Sequence, residues 1–314
     1  MKVAWLFPGQ GTQFVGMGKA LAAASPAARA VFERADAALG EPLSKLCFEG
    51  PEADLTLTAN TQPAILTASI AALSALREKF ADLPAPLFAA GHSLGEYSAL
   101  VASGALAFDD AIRLVRLRGK AMQSAVPDGQ GAMAAIIGGD EAAVRALCEE
   151  AREGETVAPA NYNAPGQIVI AGHKSAVARA SALAATRKMK AIPLSVSAPF
   201  HSSLMNPAAR AVEKALVGIR FGPMQFPVVT NVEATPNRDE SKIADLLVRQ
   251  IDGPVLWDRS VRFLAAQGVT HALEIGPGKV LAGLVRKIDK SIAVEGASDP
   301  DGLERVGAFL NFRN

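Results

Sequence analysis

The sequence is poor in cysteine and has almost no net charge. Its two cysteines, Cys47 and Cys148, lie far apart, and neither has a C-x-x-C partner. We therefore expect ordinary core or surface thiols and no bound metal. The 32 basic residues nearly balance the 31 acidic ones, so no overall electrostatic field attracts nucleic acid or an anionic membrane surface.

Long hydrophobic runs are also missing. No stretch approaches the length of a membrane span, and the apolar segment Val3–Phe7, which ends at Pro8-Gly9, is shorter than the apolar core of a signal peptide. Half of the 314 residues are nevertheless hydrophobic, which is enough to bury the core of one large domain or two. The composition predicts a soluble globular protein of the cytoplasm with no nucleic-acid or membrane partner.

A G-x-S-x-G pentapeptide, Gly91 to Gly95, lies between the apolar run at residues 87–90 and a second apolar segment. This order predicts a strand, a sharp turn and a helix, with the hydroxyl of Ser93 exposed as a nucleophile at the sheet edge. The N–H of Leu94, at the start of the new helix, would face an oxyanion formed on Ser93. An ordinary glycine-rich turn is the alternative, and the flanking strand and helix make it the weaker one.

The first predicted strand, Val3–Phe7, is followed by a glycine-rich loop that contains Gln10. Phe14 occupies the position where a dinucleotide fingerprint needs its third glycine, so the loop is not predicted to bind phosphate. If this strand lies beside the strand before the pentapeptide, backbone amides near Gln10 can approach a group reacting at Ser93. A plain connecting turn is the alternative.

Helices are predicted at residues 26–39 and 63–80, the second with Thr61 as its cap and Pro63 in its first turn. Gln62 then lies at a helix N-terminus. Its side-chain amide would either line a pocket or only solvate the turn.

The helix predicted at residues 109–124 is amphipathic, and Ala111, Val115, Arg118 and Met122 share its apolar stripe. A buried guanidinium without a partner would destabilise the fold by about 3–5 kcal/mol. We therefore expect Arg118 to have an anionic partner. That partner is either a structural Asp or Glu, or the carboxylate of a ligand held by two hydrogen bonds.

Residues 128–197 differ in pattern from the rest of the chain. Strands at 132–137, 156–160, 167–171 and 191–196 and helices at 141–151 and 175–187 give the order β-α-β-β-α-β, which is typical of a ferredoxin-like fold. We expect this segment to be a domain inserted into a core of residues 1–127 and 198–314. In that core, alternating buried strands and helices predict an α/β fold with a mostly parallel sheet.

A nucleophilic serine needs a base, and the chain has four histidines. His92 adjoins the serine, where side chains diverge; His173 lies in a turn of the insert; His271 starts a strand at the edge opposite the expected site. Elimination favours His201, where an apolar stretch ends at the junction of insert and core. No acidic residue near a strand end precedes it, so a backbone or amide carbonyl is expected to orient the imidazole. The carbonyl of Gln250, at a helix end, is eligible.

Six features follow one another in order along nearly the entire chain. They are Phe7-Pro8-Gly9-Gln10-Gly11, Gly91-His92-Ser93-Leu94-Gly95-Glu96, Arg118 in its helix, Asn161-Tyr162-Asn163-Ala164-Pro165-Gly166-Gln167, Pro199-Phe200-His201 and Gly276-Pro277-Gly278. None is specific alone, but together they resemble malonyl-CoA:acyl-carrier-protein transacylase, of the acyltransferase family of fatty acid and polyketide synthesis. That family's hydrolase-like α/β core with a ferredoxin-like insert coincides with the predicted order of elements.

The resemblance implies a role for each matching position. Ser93 would carry the malonyl group as an ester, His201 would be its base, and the carbonyl of Gln250 would orient the imidazole. The amides of Gln10 and Leu94 would form the oxyanion hole. The family works with a Ser-His dyad, which accounts for the missing acid.

The resemblance also implies how substrates bind. Arg118 would clamp the malonyl carboxylate, with Gln62 and Asn161 as further substrate-binding residues. Methylmalonyl-selecting relatives tend to carry a serine before the histidine, so Phe200 is expected to exclude an α-methyl group. The substrates would be malonyl-CoA and a holo acyl carrier protein, in support of fatty acid biosynthesis and with no bound cofactor.

Three other functions remain open. A thioesterase on the same core would let water deacylate Ser93, but the missing acid and the buried arginine argue against it. An inactive scaffold that binds a carrier protein through Arg187, Lys188 and Lys190 is disfavoured because Ser93 and His201 are both retained. A free-standing acyltransferase of a polyketide assembly line would share every one of these residues and differ only in its carrier protein.

Overall fold

The computed structural model describes residues 1–196 and 198–311; Ser197, the last residue of the expected insert, and residues 312–314 lie outside the described residues. The strands are β1 (Val3–Phe7), β2 (Phe88–Gly91), β3 (Gly131–Ile137), β4 (Val157–Ala164), β5 (Gln167–His173), β6 (Lys190–Pro193), β7 (Val228–Val229), β8 (Pro236–Asn237), β9 (His271–Ile275) and β10 (Ala293–Ala297). The helices are α1 (Lys19–Ala24), α2 (Pro26–Leu39), α3 (Leu43–Glu49), α4 (Glu52–Thr56), α5 (Thr58–Lys79), α6 (Gly95–Ala102), α7 (Phe108–Ser124), α8 (Glu141–Ala151), α9 (Lys174–Thr186), α10 (Asn206–Leu216), α11 (Ile243–Asp252), α12 (Trp257–Ala266), α13 (Val280–Ile288) and α14 (Pro300–Phe309).

The larger sheet has six strands in the order β10-β9-β1-β2-β7-β8. All neighbours in it are parallel except the short pair β7 and β8. Strands β1 and β2 are wholly buried, as expected for uninterrupted apolar runs covered on both faces. The predicted α/β fold with a mostly parallel sheet is confirmed.

The register of the two central strands brings the candidate loops together. Phe7, the last residue of β1, pairs with Gly91, the last residue of β2. Because the carboxyl ends of parallel strands meet at one edge of a sheet, the loops with Gln10 and Ser93 leave the sheet side by side. His271 begins β9, at the opposite edge of the sheet, as predicted.

The second sheet has four antiparallel strands in the order β4-β5-β3-β6. Helices α8 and α9 alternate with these strands, so the predicted order of elements is confirmed. A backbone bridge joins this sheet to the larger unit, since the N–H of Val255 donates to Ala160 and the N–H of Tyr162 donates to Val255. The bridge fixes β4 against the loop before α12.

Helix α5 begins earlier than the prediction, which was wrong about its cap. It starts at Thr58, so Pro63 lies inside the helix and Gln62 lies in its second turn. Proline cannot donate to the carbonyl of Ala59, one turn back, but Arg116 donates to that carbonyl instead, at 2.8 Å. A distant side chain therefore compensates the missing bond. Neither α5 nor another helix of the described residues is long and apolar enough to cross a membrane.

Two strand lengths in the second sheet also differ from the prediction. Strand β4 extends to Ala164 rather than ending at residue 160. Strand β6 ends at Pro193 rather than at residue 196. The N–H of Leu194 still donates to Met133 of β3, and Leu194 and Val196 line the cavity described below.

Candidate active site

Ser93 occupies a strained turn between β2 and α6. Its φ angle is 49°, a left-handed conformation that residues other than glycine seldom adopt. The two flanking glycines allow the turn to close. A Cβ at Gly91 would lie 1.9 Å from the carbonyl carbon of Gly95, and a Cβ at Gly95 would lie 2.0 Å from the oxygen of Phe7. The predicted strand, sharp turn and helix are all present.

The side chain of His201 reaches the hydroxyl of Ser93. Its Nε2 lies 2.7 Å from Ser93 Oγ, and its Nδ1 lies 2.9 Å from the carbonyl oxygen of Gln250 and 3.2 Å from that of Gly253. Carbonyl oxygens only accept hydrogen bonds, so Nδ1 carries the proton and Nε2 presents its lone pair to the serine. The three residues thus lie together as the prediction required.

Burial keeps the imidazole neutral. His201 is 5% exposed, and burial lowers its pKa to about 3, with the positive charge of Arg118 acting in the same direction. The hydrogen bonds to the carbonyls of Gln250 and Gly253 raise the pKa but do not offset the burial. A neutral imidazole is the form that can accept a proton from Ser93.

Arg118 lies on the buried stripe of α7, with 1% of its surface exposed. Its Nη1 donates to Gln62 Oε1 at 2.8 Å, and its Nη2 donates to Gln250 Oε1 at 2.9 Å and to Ser93 Oγ at 3.1 Å. No Asp or Glu of residues 1–196 and 198–311 forms an ion pair with it. Of the two predicted partners, the structural acid is therefore wrong for the described residues.

The surroundings of Arg118 keep it charged. The ring of Tyr97 faces it, with 5.3 Å between the guanidinium carbon and the ring centre, a favourable cation–π distance. Burial lowers the pKa of Arg118, whereas the nearby Tyr97 and Glu96 raise it. Arginine stays protonated under these influences, so a full positive charge lies beside the serine without a directly bound anion.

A cavity of about 460 Å³ opens in front of Ser93. It is large enough for the acyl end of a small ligand. Gln10, Gln62, Asn161 and Phe200 all line it, so the structure brings every predicted substrate-contacting residue to one cavity. Gln62 is buried and bonded to Arg118, which excludes the alternative that it only solvates a turn.

Two backbone N–H groups near Ser93 have no acceptor within the described parts of the chain. They belong to Gln10, in the loop after β1, and to Leu94, which precedes α6. Both residues line the cavity. Unpaired backbone N–H groups beside a nucleophile are the usual donors to an oxyanion, and that of Leu94 also lies at a helix start.

The model of a family described as acyl transferase domain matches residues 4–306.

The chain belongs to the acyl transferase domain family.

Relatives of this acyl transferase domain match along nearly its whole length. The malonyl CoA-acyl carrier protein transacylase of Escherichia coli (strain K12) is 49% identical over 301 residues, covering 96% of this chain and 97% of the relative. That of Bacillus subtilis (strain 168) is 49% identical over 315 positions, covering 100% and 98%. A solved malonyl-transacylase, in complex with a type II PKS acyl-carrier protein, has a TM-score of 0.95 at 46% identity, covering 99% and 100%. The family resemblance seen in the sequence is confirmed.

Two residues of this acyl transferase domain were missed by the sequence analysis. The side chain of Asn231 accepts from the N–H of Ser93 at 2.6 Å and donates to the carbonyl of Gly91 at 2.7 Å. Glu96, 2% exposed, accepts from the N–H of Asn231 and from the side chain of Gln250. Asn231 could have been recognised from its position just after a parallel strand. Glu96 could have been recognised as a carboxyl residue among apolar ones.

His92 does not contact Ser93, as the sequence analysis predicted. Its Nε2 lies 2.8 Å from Asn163 Oδ1, on strand β4, and its ring faces Trp257 at 5.7 Å between ring centres. Burial lowers the pKa of His92. The residue therefore ties the serine turn to the four-stranded sheet rather than acting on the serine.

The depressed pKa of His201 predicts acid sensitivity of this acyl transferase domain. An unfolded histidine takes up a proton near pH 6.5, whereas the folded one stays neutral down to about pH 3. The contribution of His201 to the free energy of unfolding is therefore fully present above pH 6.5 and is lost as the pH falls towards 3. At pH 5 we expect His201 to account for a loss of about 2 kcal/mol.

Urea unfolding at pH 7.5 and pH 5 measures this loss. Wild type should lose about 2 kcal/mol more than His201→Asn between the two pH values, because asparagine does not titrate and tolerates the φ of 58° at this position. Equal losses in the two proteins would contradict the assignment of this acid sensitivity to His201.

Proposed function

We propose that this acyl transferase domain transfers a malonyl group from malonyl-CoA to the phosphopantetheine thiol of an acyl carrier protein, through a malonyl ester on Ser93. One observation carries the proposal. The hydroxyl of Ser93 touches both a neutral imidazole, at 2.7 Å, and a buried guanidinium without a bound anion, at 3.1 Å. The first suits acyl transfer, and the second suits an acyl group that ends in a carboxylate. The full-length relatives named malonyl CoA-acyl carrier protein transacylase support it.

In the first step, His201 Nε2 takes the proton of Ser93 as Oγ attacks the thioester carbon. The N–H groups of Gln10 and Leu94 donate to the oxyanion that forms. The carbon–sulfur bond then breaks, the imidazolium returns its proton to the leaving sulfur, and CoA departs as a thiol. The carbonyl of Gln250 stabilises the imidazolium between these two events.

The second step reverses the first with a different thiol. His201 takes the proton from the phosphopantetheine thiol of the carrier, and the sulfur attacks the ester carbon on Ser93. When the tetrahedral intermediate collapses, the imidazolium protonates Ser93 Oγ and the malonyl group leaves on the carrier. The two substrates and this chain's own residues supply all of the chemistry, so we propose no bound cofactor.

The guanidinium of Arg118 is arranged to hold the malonyl carboxylate. Its Nη1 has a second N–H, with no acceptor among residues 1–196 and 198–311, and its Nη2 loses the contact with Ser93 Oγ once that oxygen is acylated. Both groups then become available for a bidentate pair. Gln62 and Asn161 complete the polar side of this subsite, and Phe200 packs where it excludes an α-methyl group.

The architecture fits this assignment. We propose a hydrolase-like core formed by residues 1–127 and 198–314, supported by the parallel sheet with the serine turn after β2. We propose a ferredoxin-like insert of residues 128–197, supported by its strand order β4-β5-β3-β6. Residence in the cytoplasm and a place in fatty acid biosynthesis complete the proposal.

Replacement of Arg118 by alanine should impair malonyl transfer selectively. We expect kcat/KM for malonyl-CoA to fall roughly 100-fold, mostly through KM, because a bidentate charged pair is lost. Transfer from acetyl-CoA, which has no carboxylate, should change much less. Steady-state rates with both thioesters measure the ratio. A malonyl preference that survives intact would make Arg118 a purely structural residue.

The function itself is tested by intact-protein mass spectrometry after brief mixing with malonyl-CoA. We expect a mass increase of one malonyl group, which disappears when a holo acyl carrier protein is added and reappears on the carrier. Carriers from a fatty acid synthase and from a type II polyketide synthase should be compared, since one structural neighbour was solved with the latter kind of partner.

Other outcomes would favour the alternative functions. An adduct lost to water equally with and without carrier would indicate a thioesterase. No adduct at all would return the assignment to a scaffold that binds a carrier. Transfer to the polyketide carrier alone would move the proposed activity to a polyketide assembly line.

A further inference from the structure

Glu96 is a buried carboxyl group whose presence the acyl transfer steps do not explain. It lies in the first turn of α6 and is 2% exposed. Burial of an ionisable carboxyl group is unfavourable unless specific donors compensate it. Its Oε2 accepts from the N–H of Asn231 at 3.0 Å and from Gln250 Nε2 at 2.7 Å. Both donors belong to other segments, so Glu96 does not cap its own helix.

The hydrogen bond that Glu96 accepts helps to orient the side-chain amide of Gln250. Nε2 of Gln250 donates to Glu96 and to the carbonyl of Ser93, and Oε1 of the same amide accepts from Arg118. A flipped amide would place its oxygen against the carboxylate and its NH₂ group against the guanidinium. The contacts with Arg118 and with the carbonyl of Ser93 would then be repulsive, as would the contact with an ionised Glu96, so Glu96 and these two groups together favour the observed orientation.

Glu96, the side-chain amide of Gln250 and Arg118 thus form a hydrogen-bonded relay. In this relay, the oxygen that Arg118 contacts belongs to a neutral amide rather than to a carboxylate. A carboxylate bound directly to the guanidinium would occupy the N–H groups that a ligand carboxylate needs. The amide of Gln250 instead separates the carboxyl group of Glu96 from the arginine, and its Oε1 accepts from Arg118 Nη2 at 2.9 Å. The carboxyl group of Glu96 therefore contributes to orientation without competing for the ligand.

We propose that Glu96 is a positioning residue that acts through Gln250 to hold Arg118 towards the malonyl carboxylate. This inference rests on the proposed function. It predicts that Glu96 determines discrimination between malonyl and acetyl thioesters and has little influence on acyl transfer itself. The backbone carbonyl of Gln250, which accepts from His201, is not part of this relay.

The main test is Glu96→Met, which removes the acceptor and keeps similar volume. We expect the ratio of kcat/KM for malonyl-CoA to that for acetyl-CoA to fall about 10-fold, with the change mainly in KM for malonyl-CoA. Glu96→Gln should keep the ratio within about 3-fold of wild type, since its amide oxygen can accept both N–H groups. An unchanged ratio in Glu96→Met, or equal losses for both thioesters, would overturn the proposal.

A second variant keeps the test valid if Glu96→Met does not fold. Gln250→Met removes the side-chain amide but keeps the backbone carbonyl, and it should lower the ratio by a similar factor. The double variant should be no worse than either single one, because both interrupt the same relay. Additive losses would contradict a shared route through the amide.

The matched control is Glu274→Gln. Glu274 is also fully buried, and its carboxyl group accepts from the N–H groups of Leu281 and Ala282 at the start of α13 rather than from Gln250. Its substitution should lower thermal stability and leave the malonyl-to-acetyl ratio unchanged. A wild type that forms no malonyl adduct or shows no malonyl preference would refute the proposed function. A preference that persists in both relay variants would refute only this inference.

Discussion

Ser93→Ala should abolish the malonyl adduct and reduce transfer to the carrier protein by roughly 10⁴- to 10⁶-fold. The ester forms on Ser93 Oγ, and no other hydroxyl of the described residues is hydrogen-bonded to His201 Nε2. The oxyanion donors and the arginine remain, so malonyl-CoA should still bind. Intact mass after mixing with malonyl-CoA, together with the rate of carrier malonylation, measures both effects.

The control for this variant is Ser98→Ala. Ser98 lies in α6, and its buried hydroxyl has no partner among the described residues. Its loss should leave adduct formation near the wild-type level. If Ser93→Ala still became acylated, a different nucleophile would carry the malonyl group and the proposed mechanism would fail.

Local patterns were enough to predict the turn around Ser93. Val3–Phe7 is an uninterrupted apolar run, and the pentapeptide that ends at Gly95 follows a second one. Both are strong signals, because a strand covered on both faces must be apolar along its whole length. The pairing of Phe7 with Gly91 then follows from the parallel sheet, which places Gln10 beside Ser93.

Contacts between distant segments were harder to predict. Local signals placed the start of the second long helix near Thr61, since Pro63 is typical of a first turn. Helix α5 begins instead at Thr58, because Arg116 satisfies the carbonyl that the proline leaves unpaired. No local pattern in the sequence contains that contact, which joins residues more than fifty positions apart.

The partners of Arg118 illustrate the same limit. The apolar stripe of α7 correctly predicts that the guanidinium is buried. A buried positive charge is unfavourable unless hydrogen-bond acceptors or anions surround it. The compensation comes from the amide oxygens of Gln62 and Gln250, on α5 and α11. Periodicity reports which face of a helix is buried but not which side chains from other helices meet it. The position of Glu96 among apolar residues predicts that its carboxyl group is buried, but not that Gln250 and Asn231 are its partners.

His201→Asn should lower the rate of malonyl transfer about 10²- to 10⁴-fold. Asparagine keeps the left-handed backbone, with a φ of 58° in the wild type, but it has no group that can accept and return a proton. One base serves both chemical steps, so formation of the adduct and its discharge to the carrier should slow together. Stopped-flow mixing for the first step and quenched transfer for the second measure them separately, and KM for malonyl-CoA should change little because Arg118 is retained.

The appropriate control is His271→Asn, because His271 begins β9 at the opposite edge of the sheet and faces Phe309. It should leave both steps near the wild-type rate. A loss of less than about 10-fold in His201→Asn would mean that the proton of Ser93 leaves by another route. A loss confined to discharge of the adduct would mean that the serine is already activated without the imidazole. The position of Nδ1 against the carbonyl oxygens of Gln250 and Gly253 argues against both results, since it leaves Nε2 unprotonated and directed at the serine at the start of each step.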